Sequence, residues 1–153
     1  MKNTRVAVVQ AQAYLFNTSK TIEKMRDLTA EMRQESPGLV LYPEAFLPGY
    51  PRGLGFGAVV GNRTEEGKEL FARYYEQSIA ENDPHFRELQ KIAKELGAYL
   101  AVGAVEKETR SGTLYCSLFY FGTDGRYLGK HRKLKPTGSE RLIWGEGDGS
   151  TMP

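Results

Sequence analysis

Hydrophobic residues fall into short continuous runs, separated by stretches where they recur every third or fourth position. The first run, Val6-Ala7-Val8-Val9, is largely β-branched, as a strand buried on both faces would be. Asn17, Thr18 and Ser19 offer capping oxygens ahead of Ile22, Met25, Leu28 and Met32, whose spacing predicts an amphipathic helix that stops before Pro37-Gly38. Leu39-Val40-Leu41-Tyr42 predicts a second buried strand. Pro43 is expected to end it, because proline has no N–H to give to a ladder. Residues 48–62 carry glycines, prolines and embedded aromatics, a loop long enough to point to function.

Helical spacing returns over residues 64–80 through Leu70, Tyr74 and Ile79. Asp83-Pro84 then places a cap and a first-turn proline before Phe86, Leu89, Ile92, Ala93 and Leu96, with Gly97 as the stop. A third apolar strand follows over 98–106. Leu114, Cys116, Leu118 and Tyr120 alternate with Tyr115, Ser117, Phe119 and Phe121, and Thr123-Asp124-Gly125 turns the chain into Arg126-Tyr127-Leu128. That predicts a β-hairpin with apolar residues on both faces. The tail over 130–153 is rich in charge and glycine and has no period. Alternating strands and helices argue for an α/β fold in which three helices cover a mixed sheet.

Length and composition narrow the classes. The 153 residues fit one domain or part of one, and 40% hydrophobic with 26% charged residues rules out wholesale disorder. Lysine and arginine number 21 against 19 acidic residues, and the resulting +2 is too small for a nucleic-acid footprint. A single cysteine, Cys116, excludes an internal disulfide, and with only His85 and His131 beside it no Cys/His zinc cage can be completed. A reducing, cytoplasmic setting is expected. No apolar stretch is long enough for a secretory core or a bilayer span, so no membrane partner is expected.

Three groups could carry chemistry. Glu44 follows the second strand beside the glycine-rich loop, where partial burial would raise its pKa and suit it to act as a general base; otherwise it is a solvated strand-exit carboxylate. Lys130, His131, Arg132, Lys133 and Lys135 crowd around Leu134, either as a solvated edge that discourages strand addition or as a weak phosphate patch. A lysine packed among cations needs carboxylate partners, and Glu44 and Glu140 are candidates. Cys116, mid-strand at an apolar position, reads as a small core hydrophobe. Gly145-Glu146-Gly147-Asp148-Gly149-Ser150 matches no nucleotide-loop pattern, and there is no Gly-x-Ser-x-Gly elbow.

Two long blocks resemble a known family. Tyr42-Pro43-Glu44-Ala45-Phe46-Leu47-Pro48-Gly49-Tyr50-Pro51 and His131-Arg132-Lys133-Leu134-Lys135-Pro136-Thr137-Gly138-Ser139-Glu140-Arg141 are similar, in order and separation, to the signature blocks of the nitrilase branch of the carbon–nitrogen hydrolases. The resemblance extends to the opening strand, the loop at 56–61 and the tail at 144–150. It implies an α-β-β-α sandwich, here incomplete, with residues 1–153 as the N-terminal part of a single domain. It also implies hydrolysis of a small-molecule nitrile to a carboxylic acid and ammonia by a Glu-Lys-Cys triad, without metal or organic cofactor, in a homo-oligomer.

Matched position by position, Glu44 resembles the general base, Lys133 the catalytic lysine and Glu140 the further glutamate of the same site. The family's nucleophile sits in a Cys-Trp-Glu block downstream of the lysine strand, which these 153 residues do not contain. Tyr115-Cys116-Ser117 does not match that block, so the nucleophile is expected beyond Pro153. Two alternatives stay open: a cyanide-hydrating or amide-hydrolysing relative, and a truncated, non-catalytic module that pairs with intact subunits.

Overall fold

In the computed structural model, which describes residues 3–150 and 152, the chain runs β1 (Val6–Val8), α1 (Thr18–Met32), β2 (Leu39–Leu47), β3 (Ala58–Val59), β4 (Asn62–Arg63), α2 (Glu65–Gln77), α3 (Pro84–Leu96), β5 (Tyr99–Lys107), β6 (Leu114–Phe121) and β7 (Tyr127–Arg132). Met1, Lys2, Thr151 and Pro153, at the ends of the region read as one domain part, lie outside the described residues. Five strands form one sheet in the order β1-β2-β5-β6-β7. The first three are parallel, and the β6–β7 hairpin adds to β5 antiparallel.

Local chemistry explains the helices. Asn17, Thr64 and Asp83 each accept a backbone N–H in the first turn of α1, α2 and α3, contacts worth about 1 kcal/mol apiece. Pro84 opens α3, and Gly97, at φ +67°, ends it in the left-handed conformation a side chain disfavours. α1 and α3 lay Ile22, Met25, Phe86 and Leu89 against Val40, Tyr42, Val102 and Phe119 on one sheet face. A second cluster joins Tyr74 of α2 to Ala45, Phe56, Val105, Leu114, Cys116 and Trp144. Strand alternation puts Val105 and Cys116 on the face opposite Val102 and Phe119. At the far end of the sheet, Val6 and Val8 are exposed while Ala7 packs inward.

The structure corrects four expectations. Pro43 does not end β2: the strand continues to Leu47, but its register jumps from Tyr42↔Val102 to Leu47↔Ala104, five steps along β2 against two along β5. The residues between form a bulge, which leaves Pro43 off the ladder and so removes the objection to proline. Residues 48–62 are not structureless, since β3 and the start of β4 form a small hairpin there. Ile79 is not helical: α2 stops at Gln77, and Ile79 bridges to Glu106 alongside β5. The tail contains a 3-10 turn at Gly138–Leu142, which three residues per turn hide from a search for helical period.

Candidate functional site

The β2 bulge decides where Glu44 points. Ala45, fully buried, sits at φ +47° and reverses the backbone immediately after the glutamate. Such a conformation costs a non-glycine residue of order 1–3 kcal/mol and persists only where packing enforces it. Gly103 of β5 makes it possible, because the Pro43 and Glu44 backbone rests where a Cβ would stand. The Glu44 side chain is consequently half-exposed, at 49%.

Lys133 comes from the other side. Its N–H donates to Cys116 O (2.8 Å) and its carbonyl accepts from Gly147 N (3.0 Å), which extends the β7 pairing by one residue. Its ammonium lies between Glu44 Oε1 (2.8 Å) and Glu140 Oε2 (2.9 Å). Glu140 is held in turn by a capping box, in which its carboxylate accepts the Thr137 N–H while the Thr137 side chain caps the turn. The structure thus brings Glu44, Lys133 and Glu140 together across three segments of the chain.

Two residues join them that sequence reasoning did not place there. The Tyr50 hydroxyl donates to Glu140 Oε1 at 2.7 Å, and its ring meets Trp144 edge to face at 5.6 Å. The Cys116 thiol, read as a core hydrophobe, is buried as expected yet reaches Glu44 Oε1 at 3.4 Å. Burial pushes that thiol well above its ordinary pKa, and the neighbouring carboxylate pushes it further. A thiolate at Cys116 is therefore disfavoured.

The charges resolve by direction. Burial alone would lower Lys133, but the hydrogen bonds its ammonium donates to both carboxylates outweigh it and hold the ammonium well above the usual lysine range. Burial alone would raise Glu140, but Tyr50, Lys133 and the Thr137 amide hold it below the usual carboxylate range. Its contribution to stability is accordingly present above the unfolded-state value and is lost only as pH falls through the lowered folded one. Tyr50→Phe removes one of those donors, so the Glu140 midpoint is expected to rise toward the ordinary carboxylate range. Carboxyl 13C NMR titration checks this; an unmoved midpoint would deny Tyr50 its role.

Glu44 stands between two cavities. One, of about 750 Å³, is lined by Tyr50, Arg52, Leu54, Glu140 and Leu142. The other, of about 340 Å³, is lined by Leu41, Gly103, Cys116, Leu118, His131 and Lys133. Both include Pro43 and Glu44. Among the described residues no cluster of three or more His, Cys, Asp or Glu could hold a metal ion, and no helix is long and apolar enough to cross a membrane.

This arrangement, a cleft-side carboxylate paired with a lysine that a second carboxylate steadies, coincides with a family match along the chain. Residues 5–153 match the model of the carbon–nitrogen hydrolases. The chain belongs to the carbon–nitrogen hydrolase family. Within it the chain lies in the nitrilase branch: it is 46% identical to a bifunctional nitrilase/nitrile hydratase of Lupinus angustifolius and 44% identical to nitrilase 1 of Arabidopsis thaliana. Both alignments cover 97% of this chain and 42% of the relative, so the chain spans well under half the length of the curated relatives it matches. An amidase from Nesterenkonia sp. shares the fold with a TM-score of 0.73 at 19% identity, over 97% of this chain and 50% of that one. The α/β architecture expected from the sequence is thus the carbon–nitrogen hydrolase architecture, present here over about half its extent.

Proposed function

We propose that Glu44, Lys133 and Glu140 form the base and lysine part of a nitrile-hydrolysing site. The observation that carries this reading is the Lys133 ammonium held between two carboxylates at the junction of two cavities. In the proposed reaction a cysteine from sequence outside these 153 residues attacks the nitrile carbon. Glu44 takes the thiol proton and later activates the water that releases the acid. Lys133 stabilises the charge that develops on nitrogen, and Glu140, itself aimed by Tyr50, keeps the ammonium directed at it. Two waters are consumed, and a carboxylic acid and ammonia leave.

Cys116 is not assigned as the nucleophile, since its thiol is buried and resists ionisation. The lupin relative's name also includes nitrile hydratase, which makes amide a reasonable second product here, formed when the tetrahedral intermediate expels the thiol instead of ammonia.

Expected behaviour follows. The 153-residue protein should release no ammonia above background from aliphatic or aromatic nitriles, whereas a chain continued through a Cys-Trp-Glu block should release acid and ammonia. Ammonia release by the 153-residue protein that Glu44→Gln abolishes would overturn the assignment of the nucleophile. Amide as the main product of the longer chain would overturn the nitrilase reading.

A further inference from the structure

A second charged cluster lies directly behind the first. Strand alternation sends His131 and Lys133 toward the cavity side of the sheet and Lys130 and Arg132 toward the opposite side. There Glu106 of β5 is almost fully enclosed, its side chain 3% exposed. Arg132 engages that carboxylate through both Nε (3.0 Å) and a terminal guanidinium nitrogen, Lys130 donates at 2.7 Å, and the Ser117 hydroxyl donates at 2.7 Å. The guanidinium also stacks on the Tyr115 ring at 3.8 Å. Burial alone would raise the Glu106 carboxyl, but these cationic donors hold it below the usual range.

The two clusters share a backbone. Ser117 pairs with Arg132 in the β6–β7 ladder, and Cys116, the residue before Ser117, accepts the Lys133 N–H. Adjacent residues on each strand therefore serve opposite faces: Ser117 and Arg132 meet Glu106, while Cys116 and Lys133 meet Glu44. β7 ends at Arg132, and Lys133 continues its pairing by one residue through Cys116 O, so the setting of Arg132 passes directly to Lys133. A forked pair to an enclosed carboxylate fixes both the position and the rotation of Arg132, as a single point charge could not.

We infer that Glu106 is a positioning residue, which by gripping Arg132 from behind the sheet sets the Lys133 ammonium between Glu44 and Glu140. The inference rests on the proposed role of Lys133 but concerns a residue that touches neither cavity-side carboxylate. Glu106 is too deeply enclosed to meet a substrate. It acts through the strand, and its partners Lys130 and Arg132 belong to the basic run that otherwise reads as a solvated edge.

The test follows the Lys133 ammonium itself, in the 153-residue protein with 15N-labelled lysine. In the native protein the hydrogen-bonded Nζ protons should exchange slowly enough with water to be observed near pH 6. Glu106→Gln should quicken that exchange by about tenfold, the scale of one weakened charge-assisted hydrogen bond. Glu106→Asp, which keeps the charge but retracts it by one methylene, should fall between the two. A residue with a merely structural role would lower the melting temperature and leave Lys133 exchange unchanged, and that result would overturn the inference. So would failure of both variants to fold, because the pair would then be a requirement of the fold itself. Glu44→Gln serves as the reference, since it removes a Lys133 partner directly. Faster exchange in Glu44→Gln with none in Glu106→Gln overturns only the positioning role. No change in Glu44→Gln overturns the lysine–carboxylate pairing, and with it the functional reading on which the inference stands.

Discussion

In a chain extended to include the nucleophile, Glu44→Gln is expected to lower kcat by roughly 10²–10⁴, the range of a positioned general base, with a much smaller change in KM. The amide is nearly isosteric, so the cavity walls and the bulge that presents residue 44 are retained. It cannot accept the thiol proton. It also removes one of the two negative charges facing Lys133, leaving Glu140 alone to hold the ammonium. Lys133→Ala should cost roughly 10²–10³ in kcat through lost stabilisation of developing charge, and it takes from Glu140 a cation that holds its carboxyl low, so Glu140 would become easier to protonate. Because base and lysine act on the same intermediates, the double variant should fall well short of the product of the two losses. Single-turnover assays separate these effects from binding. A Glu44→Gln enzyme within threefold of the native rate would remove Glu44 from the chemistry.

What could be read in the sequence was local, or forced by charge. α3 was legible because Asp83, Pro84, its apolar period and Gly97 lie within one short segment and state the same helix. The need of Lys133 for carboxylates followed from the cations beside it, and Glu44 and Glu140 do supply them. The setting of Glu44 was not legible, because the proline rule addresses only a missing N–H on its own strand. The bulge that satisfies the rule depends on the space left by Gly103 in a strand whose pairing is set by tertiary contact. A glycine inside the apolar stretch at 98–106 was the available signal, since glycine in a strand marks a bulge or a close backbone approach. Likewise Thr137-x-x-Glu140 is a capping-box pattern that would have revealed the turn at Gly138–Leu142. Tyr50 and Glu140 are 90 residues apart, and nothing in either neighbourhood announces their contact.

Gly103→Ala is expected to be among the most damaging single-methyl additions in the chain. The new Cβ would collide with the Pro43 carbonyl oxygen and stand 2.7 Å from Glu44 Cα. Both are backbone atoms of a bulge whose next residue, Ala45, is already in a strained conformation, so no side-chain rotation relieves the clash. Either β5 moves, against ladders it shares with β2 on one side and β6 on the other, or the bulge lifts and carries Glu44 away from Lys133. The first response costs stability, about 3 kcal/mol at the upper end of overpacking effects, or roughly 6–12 °C in Tm for a chain of this size. The second preserves stability at the expense of the lysine–carboxylate contact. Calorimetry and the Lys133 ammonium signal therefore divide one clash into its two outlets, and at least one must register it. Gly55→Ala is the matched control: no atom lies within 4 Å of its added Cβ and its φ is not in the left-handed range. Reduced freedom of the unfolded chain should make it neutral or stabilising by about 0.4–1 kcal/mol. If Gly103→Ala melts within about 1 °C of the native protein and keeps the slow Lys133 exchange, the close approach of β5 is not what shapes the site.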